Sequence, residues 1–241
     1  MVYLILSDIH SNLQALEAVI DSFPQKDDVI VMCGGDIVGY GANPVECLEV
    51  INQLNAHCVL GNHDAAVIDK MDISRLNEYA AEAIIWTKGY LNRIDMRYFD
   101  SLPYTLKNDF FTMVHGTLYS PEEFNYLTTN SNAEKTFNMM KTKICFVGHT
   151  HRAGVFMENN GKIYPLFSKK IIIEDNANYI INAGSVGQPR DYDNRASYCI
   201  YSPENNEIEF RRITYDIKSA RNAIIKAGLP KILGDRLLTG Q

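Results

Sequence analysis

Short apolar runs rich in β-branched residues recur along the N-terminal part of the chain, separated by polar or glycine-containing segments. Runs of this length and composition are typical of buried strands. The pattern therefore predicts five strands, over residues 2–6, 29–32, 57–60, 111–114 and 144–147.

Segments with a helical pattern separate several of these strands, and some begin at a recognisable cap. Ser11 and Gln14 form a capping-box signature ahead of the first helix. Asn43-Pro44 places a proline at the first position of the next. Further helices are predicted over 75–91 and from Ser120 onward. Strand–helix alternation of this kind favours an α/β fold with a largely parallel sheet.

After residue 152 the pattern changes to apolar runs joined by short turns, which is typical of antiparallel strands. Residues 153–157 and 162–167 are predicted to form a hairpin. Three more strands, over 178–182, 196–201 and 207–213, and a closing helix over 216–227 complete the prediction. We expect this part to pack on the first as an antiparallel sheet, within one α/β domain over residues 1–241.

The composition and net charge of the chain indicate which binding partners and which cellular compartment to expect. The formal net charge of -6 argues against broad nucleic-acid or membrane-surface binding. Asp8 interrupts the apolar N-terminus, which lacks the basic leader of a signal peptide, and no other run is long enough to cross a bilayer. The 5 cysteines show no C-x-x-C spacing, which indicates buried thiols of a reducing compartment. We therefore expect a cytoplasmic protein.

Side chains able to bind a metal follow each of the five N-terminal strands. The segments are Ser7-Asp8-Ile9-His10, Gly34-Gly35-Asp36, Gly61-Asn62-His63-Asp64, His115-Gly116 and Gly148-His149-Thr150-His151. Of the 6 histidines, only His57 lies away from these strand ends. Because the carboxyl ends of parallel strands open at one edge of a sheet, we expect these side chains to converge there.

Two aspartates, an asparagine and four histidines suit a pair of divalent ions about 3.5–4 Å apart that share one carboxylate. Oxygen and imidazole ligands without thiolate favour Mn, Fe, Zn, Co or Ni, and we place Mn first. Such a pair converts a bridging water into hydroxide near neutral pH, and one further histidine can protonate the leaving group. Each motif alone is common in loops, so the prediction rests on their combination.

This ordered set of motifs resembles the calcineurin-like metallophosphoesterase superfamily, whose pattern is D-x-H, G-D, G-N-H-D/E, H and G-H-x-H. All five blocks are present between residues 8 and 151. The stretches GDIVGYGANP at 35–44 and INAGSVGQPRDYDNRASY at 181–198 are similar to segments of its small bacterial and archaeal branch, which includes relatives of diadenosine tetraphosphate hydrolases. The resemblance implies a four-layer α/β/β/α sandwich of two stacked mixed sheets flanked by helices.

The resemblance also implies a role for each side chain of the site. Asp8, His10 and His151 would bind the first ion, Asp36 would bridge the ions, and Asn62, His115 and His149 would bind the second. His63 corresponds to the general acid of the family. Asp64 either orients His63 or shapes the turn, and we favour the turn.

Two positions depart from the family pattern. Ala183 stands where that branch usually has proline, a change expected to affect loop stiffness rather than chemistry. Asp36 is followed by Ile37-Val38-Gly39-Tyr40, without the D-R-G arginine of the phosphoprotein phosphatases. Loss of that guanidinium removes a bidentate clamp for a monoester dianion, which shifts the expected substrate towards diesters or phosphoanhydrides of small molecules.

Five side chains are weaker candidates for substrate binding. Arg190 either contacts a phosphate or forms a surface salt bridge, and Asn12 either caps a helix or contacts substrate. Tyr40 lies near the site-bearing loops and is able to stack on a base, as are Tyr119 and Tyr126, although ordinary packing is favoured for all three.

The leading hypothesis is a metal-dependent phosphodiesterase that acts on a small molecule or a nucleotide through a metal-bridging hydroxide, with His63 as acid. A dinucleoside polyphosphate hydrolase or a broad phosphomonoesterase is the alternative of the same class. A non-catalytic protein-interaction scaffold is disfavoured because every ligand position is intact. A nuclease is disfavoured by the acidic balance of the chain.

Overall fold

A computed structural model describes residues 1–23 and 28–241 of the chain. The strands in this part are β1 (Val2–Leu6), β2 (Val29–Cys33), β3 (His57–Cys58), β4 (Thr105–Lys107), β5 (Phe111–Val114), β6 (Ile144–Val147), β7 (Gly154–Asn159), β8 (Lys162–Leu166), β9 (Lys170–Ile172), β10 (Ala177–Asn182), β11 (Ala196–Ser202) and β12 (Glu207–Ile213). The helices are α1 (Leu13–Ser22), α2 (Pro44–Gln53), α3 (Asn62–Val67), α4 (Glu78–Lys88), α5 (Arg93–Ser101), α6 (Asn130–Phe137), α7 (Ile217–Lys226) and α8 (Lys231–Leu237).

The strands form two six-stranded sheets. The first has the order β3-β2-β1-β11-β12-β9, and the second has the order β4-β5-β6-β10-β7-β8. β1, β2 and β3 are parallel in the first sheet, as are β5, β6 and β10 in the second, and the remaining pairs are antiparallel. Both sheets are therefore mixed, and the α/β prediction is confirmed.

The C-terminal strands do not form a separate antiparallel sheet, so that expectation was wrong. β11 pairs with β1 and brings β12 and β9 into the first sheet, whereas β10 pairs with β6 and brings β7 and β8 into the second. The reason lies in β1 and β6, whose side chains are buried on both faces. A strand of this kind belongs in the middle of a sheet and needs a neighbour on each side.

The side chains along β1 point alternately into two apolar cores, one on each face of the first sheet. Tyr3 and Ile5 lie in the core between the sheets, and Leu4 and Leu6 pack on the helical side. α1 and α2 contribute to the outer core of the first sheet, and α6 contributes to that of the second. The layers therefore follow the α/β/β/α order, and the four-layer sandwich is confirmed.

Several helix boundaries differ from those predicted. The first helix is capped by Asn12, whose side chain accepts from the backbone N–H of Ala15, and not by Ser11. The helix expected after Ser120 is only a single 3₁₀ turn, because Ser120 and Phe124 on either side of it adopt left-handed backbone conformations. The next helix starts at Asn130. The segment 75–91 contains α4 alone, capped by Asn77.

The five cysteines are free and buried, as predicted. No helix within residues 1–23 and 28–241 is long and apolar enough to cross a membrane.

Packing between the two sheets depends on an aromatic cluster around Phe111. Its ring is 1% exposed and meets the rings of Tyr3 and Phe146 edge-on, with centroid distances of 4.9 and 5.1 Å. Phe111→Ala should lower the free energy of unfolding by about 3–5 kcal/mol, since it leaves a cavity in a close-packed core. Chemical denaturation followed by circular dichroism measures the change.

Phe167→Ala is the matched control for this measurement. The Phe167 residue is 88% exposed, so its truncation should change the free energy of unfolding by no more than about 0.5 kcal/mol. Equal losses in the two variants would show that Phe111 does not support the packing between the sheets.

Candidate metal centre

The loops that follow β1, β2, β5 and β6 bring the predicted ligands together, although these strands lie in two different sheets. Asp8, His10, Asp36 and His151 form one group whose ligand atoms all lie within 4.8 Å of one another. Asp36, His115 and His149 form a second group by the same measure. All of these residues are buried, and Asp36 belongs to both groups.

Most of these side chains project from strained backbone. Asp8, His10, Asp36, His149 and His151 have φ between 49° and 66°, in the left-handed region that residues other than glycine rarely adopt. Backbone hydrogen bonds hold the first two loops together, from the N–H of Asp8 to Gly35 at 3.0 Å and from that of His10 to Asp36 at 3.0 Å. Strain maintained by surrounding contacts is typical of functional sites.

Ser7 and Asn182 support these loops, and neither was predicted. The Ser7 hydroxyl donates to Asp8 Oδ2 at 2.7 Å, and the amide of Asn182 donates to the carbonyl of Gly148 at 2.7 Å. The backbone N–H of His149 donates to both carboxylate oxygens of Asp8, at 3.1 Å each. The adjacency of Ser7 to Asp8 was a signal in the sequence, whereas the contact of Asn182 depends on the pairing of β10 with β6.

Three candidate histidines share one hydrogen-bonding arrangement. Nδ1 meets a backbone carbonyl in each: His10 with Val38 at 3.1 Å, His115 with Gly34 at 2.7 Å and His151 with Gln188 at 2.6 Å. A carbonyl oxygen only accepts, so Nδ1 carries the proton, and in the neutral ring Nε2 presents a bare lone pair. A hydrogen bond from the other ring nitrogen usually fixes the tautomer and orientation of a metal-binding imidazole in this way.

The bare nitrogens converge on one another and on carboxylate oxygens. His10 Nε2 and His151 Nε2 are 3.1 Å apart, and His151 Nε2 lies 3.3 Å from Asp8 Oδ1. Asp36 Oδ2 lies 3.5 Å from His10 Nε2 and 3.3 Å from His115 Nε2, and is buried without a hydrogen-bond partner among the described residues. Lone pairs and negative charge facing one another repel unless a cation lies between them. The donor set therefore fits divalent metal ions.

Burial sets the protonation of these groups. It lowers the pKa of His10, His149 and His151 well below the usual value, so these rings are neutral. Burial also acts to lower the pKa of His115, but the charge of Asp36 outweighs it and raises that pKa to about 9. A proton on His115 thus takes the place beside Asp36 that a cation would occupy, and metal binding competes with it.

Asn62 and His63 begin α3 and lie close to Asp36 and His115. Asn62 Oδ1 is 3.0 Å from His115 Nε2, next to the second group, and the backbone N–H of His63 donates to Asp36 Oδ1 at 2.8 Å. The ring of His63 packs between those of Tyr40 and His10, at centroid distances of 4.4 and 4.7 Å. His63 is thus beside the centre without belonging to either ligand group.

Gly39 makes room for the ring of His63. A Cβ at this position, where φ is 94°, would lie 2.3 Å from His63 Nδ1. Asp64 in turn fixes the surrounding turn, since its carboxylate accepts from the backbone N–H groups of Ile37, Val38 and Gly61 at 2.9–3.2 Å. These contacts agree with the turn-shaping role that we favoured for Asp64.

Of the weaker candidates, Tyr40, Tyr126 and Arg190 reach the centre. The guanidinium of Arg190 lies 5.5 Å from the centroid of the Tyr40 ring, and its Nη2 donates to Gln188 at 2.9 Å. Its Nε is buried without a hydrogen-bond partner in the described ranges. The surface salt bridge considered for Arg190 is not formed with any described residue. Arg190 thus brings a guanidinium to a region where the D-R-G arginine is missing.

Asn12 is used by the fold. Its Oδ1 caps α1, and its amide donates to the carbonyl of Gly187 at 2.8 Å and to the hydroxyl of Tyr215 at 3.3 Å. The structure therefore supports the helix-cap alternative for Asn12 and leaves it no free group for a substrate.

The comparisons with known proteins agree with this geometry. Residues 1–206 match the family model described as the calcineurin-like phosphoesterase superfamily domain, and the chain belongs to this superfamily of hydrolases that act on phosphoester bonds. An uncharacterized protein of Methanocaldococcus jannaschii is 41% identical over 98% of this chain and 97% of its own length.

Solved structures extend the likeness to three dimensions. A metallophosphoesterase from Sphaerobacter thermophilus has a TM-score of 0.88 and 37% identity, with 100% of this chain and 99% of the other covered. A hypothetical protein from Pyrococcus horikoshii OT3 has a TM-score of 0.79 at 19% identity, with 100% and 98% covered, and shows the shared fold.

Asp36→Asn should weaken metal binding at both groups, since Asp36 is the residue they share. We expect the affinity for Mn²⁺ to fall by more than about a hundredfold, because loss of a direct ligand exceeds the usual effect of an outer-shell change. Titration calorimetry of the chelator-treated protein gives the affinity and the number of ions bound. Asp175→Asn, at a fully exposed carboxylate, is the control. One ion retained at wild-type affinity would contradict the shared role.

Proposed function

We propose that this protein hydrolyses phosphodiester bonds of small molecules or nucleotides with the help of two divalent metal ions, Mn²⁺ foremost. The observation that carries the proposal is the arrangement of two buried ligand groups around the shared carboxylate of Asp36. Two bound ions at such a site supply a water of lowered pKa and stabilise the charge on phosphate oxygens.

We propose a division of the ligands between two ions. Asp8, His10 and His151 would hold the first, Asn62, His115 and His149 would hold the second, and Asp36 would contact both. The fixed Nδ1–H groups of His10, His115 and His151 orient three of the imidazoles before any ion binds. Ligands held in this way lose little freedom on binding, which favours a well-defined geometry for the reaction.

His63 is proposed to donate a proton to the leaving oxygen. Its ring lies against Tyr40 and His10, and its Nδ1 is buried against Gly39 without a hydrogen-bond partner among the described residues, so the proton would be delivered from Nε2. Burial lowers the pKa of His63 to about 4 in the free protein. An anionic phosphoester bound next to it acts in the opposite direction, so the protonated ring belongs to the complex with substrate.

Arg190 is proposed to bind the phosphate, with Tyr40 as its support. Tyr40 is buried and supports the guanidinium, while Gln188 takes one of its N–H groups. One of its five N–H donors is engaged, so the guanidinium keeps donors for a non-bridging oxygen of a diester or for a neighbouring phosphate of a polyphosphate. The preference for diesters is supported by the absence of the D-R-G arginine after Asp36.

A set of three substrates tests the proposed function. The chelator-treated protein, with and without Mn²⁺, is assayed on bis-p-nitrophenyl phosphate, on p-nitrophenyl phosphate and on diadenosine tetraphosphate. We expect Mn²⁺-dependent cleavage of the diester to exceed that of the monoester. Dominant cleavage of the dinucleotide would instead identify a dinucleoside polyphosphate hydrolase, and dominant monoester cleavage a phosphomonoesterase. Absence of all three activities in protein that binds two ions would contradict the proposal.

His63→Ala should lower kcat on esters with poor leaving groups by about 10²–10⁴-fold, the usual contribution of a positioned general acid. The number of bound ions should stay at the wild-type value, because His63 belongs to neither ligand group. Steady-state kinetics and metal analysis of the same preparation measure both. His57→Ala, at an exposed histidine of β3, is the matched control. Loss of both ions in His63→Ala would show that His63 is a ligand.

A further inference from the structure

Tyr126 lies at the candidate metal centre with one face of its ring against a proposed ligand. Its ring stacks on that of His149, with the centroids 4.0 Å apart and the planes inclined by 19°. The residue is nevertheless 53% exposed. An aromatic side chain that is stacked on a metal-binding histidine and still half-exposed offers apolar surface to a substrate next to the site of reaction.

The chain on either side of Tyr126 is fixed in place. Phe124 and Leu127 are 5% and 6% exposed, and the Phe124 ring lies 6.0 Å from that of His115. Gly116 lies directly against this segment, because a Cβ there would be 2.7 Å from the carbonyl oxygen of Asn125. Tyr126 is thus presented by an anchored segment, and a rigid contact surface loses little entropy when a ligand binds.

Tyr40 and Tyr126 differ in how far they are open to a substrate. Tyr40 is 4% exposed and is enclosed by His10, His63 and Arg190, so a substrate cannot stack on it. The guanidinium of Arg190 is associated with Tyr40 near the first ligand group, whereas Tyr126 is associated with His149 of the second group. A ligand that satisfies both would carry a phosphate and a planar aromatic group.

We propose that Tyr126 is a platform for the planar base on the retained side of a phosphoester, so that it selects nucleotides. This inference rests on the proposed phosphodiesterase function and names its substrate class. Stacking of a base on an aromatic side chain depends little on which base is present. The platform therefore distinguishes nucleotides from alkyl phosphodiesters, without choosing among the bases.

Two diesters with the same leaving group isolate this effect. Thymidine 5′-(p-nitrophenyl phosphate) and methyl p-nitrophenyl phosphate both release p-nitrophenolate, so their kcat/KM values differ only through the retained group. The wild-type protein should prefer the nucleoside ester by about tenfold or more, and Tyr126→Leu should remove most of this preference. Tyr126→Phe keeps the ring and should keep the preference.

Tyr90→Leu is the matched control. Tyr90 is 56% exposed and also packs on an aromatic ring, that of Trp86, with the centroids 4.1 Å apart and the planes inclined by 32°; among the described aromatic pairs it meets no proposed ligand. This variant should retain the wild-type preference. Equal hydrolysis of the two esters by the wild type, or equal losses on both in Tyr126→Leu, would overturn the platform; the second result would show that Tyr126 acts only through His149.

If the protein is not a phosphodiesterase, the assay with the two esters gives a different result. If the wild type hydrolysed neither ester, the phosphodiesterase activity would be contradicted, and binding would then decide the role of Tyr126. Calorimetry of the Mn²⁺-loaded protein should show AMP bound at least about tenfold more tightly than inorganic phosphate, with the difference lost in Tyr126→Leu. Equal affinities of the wild type for AMP and phosphate would overturn the platform.

Discussion

The buried carboxylate of Asp36 is the constraint on which the site depends. One of its oxygens receives the backbone N–H of His63, and the other faces the Nε2 atoms of His10 and His115 at 3.5 and 3.3 Å. A buried carboxylate of this kind is costly unless positive charge lies beside it. Either a proton on His115 or metal ions can provide that charge. The stability of the fold, the protonation of His115 and metal binding are therefore thermodynamically linked.

The conformation of the surrounding backbone follows from the need to bring positive charge or its ligands close to Asp36. To aim short side chains at one point from several strand ends, the chain adopts left-handed conformations at Asp8, Asp36 and His149. Each such residue is unfavourable by itself, and hydrogen bonds between the loops and the cap formed by Asp64 compensate. Part of the stability of the sandwich thus offsets the backbone strain that places the candidate ligands where an unstrained chain would not place them.

The grouping of the candidate ligands was predictable from the sequence because each of these side chains directly follows a strand or begins a helix, within a few residues of a strong apolar signal. The packing of Tyr126 on His149 and of Arg190 on Tyr40 was not, since each pair is brought together only by the folded loops. The partner of β1 was missed for the same reason. Local patterns show that β1 is buried on both faces, but they do not show which distant strand covers its free side.

That distant partner has a consequence for how the chain is made. β1 pairs with β2 on one side and with β11 on the other, so Tyr3 meets Tyr201 across the ladder. A ribosome releases residue 201 long after it has released β1. Until then the first strand keeps an open hydrogen-bonding edge next to the loop that carries Asp8 and His10. The nascent chain therefore exposes an aggregation-prone edge until β11 has been released, and the candidate metal centre reaches its final form only after that.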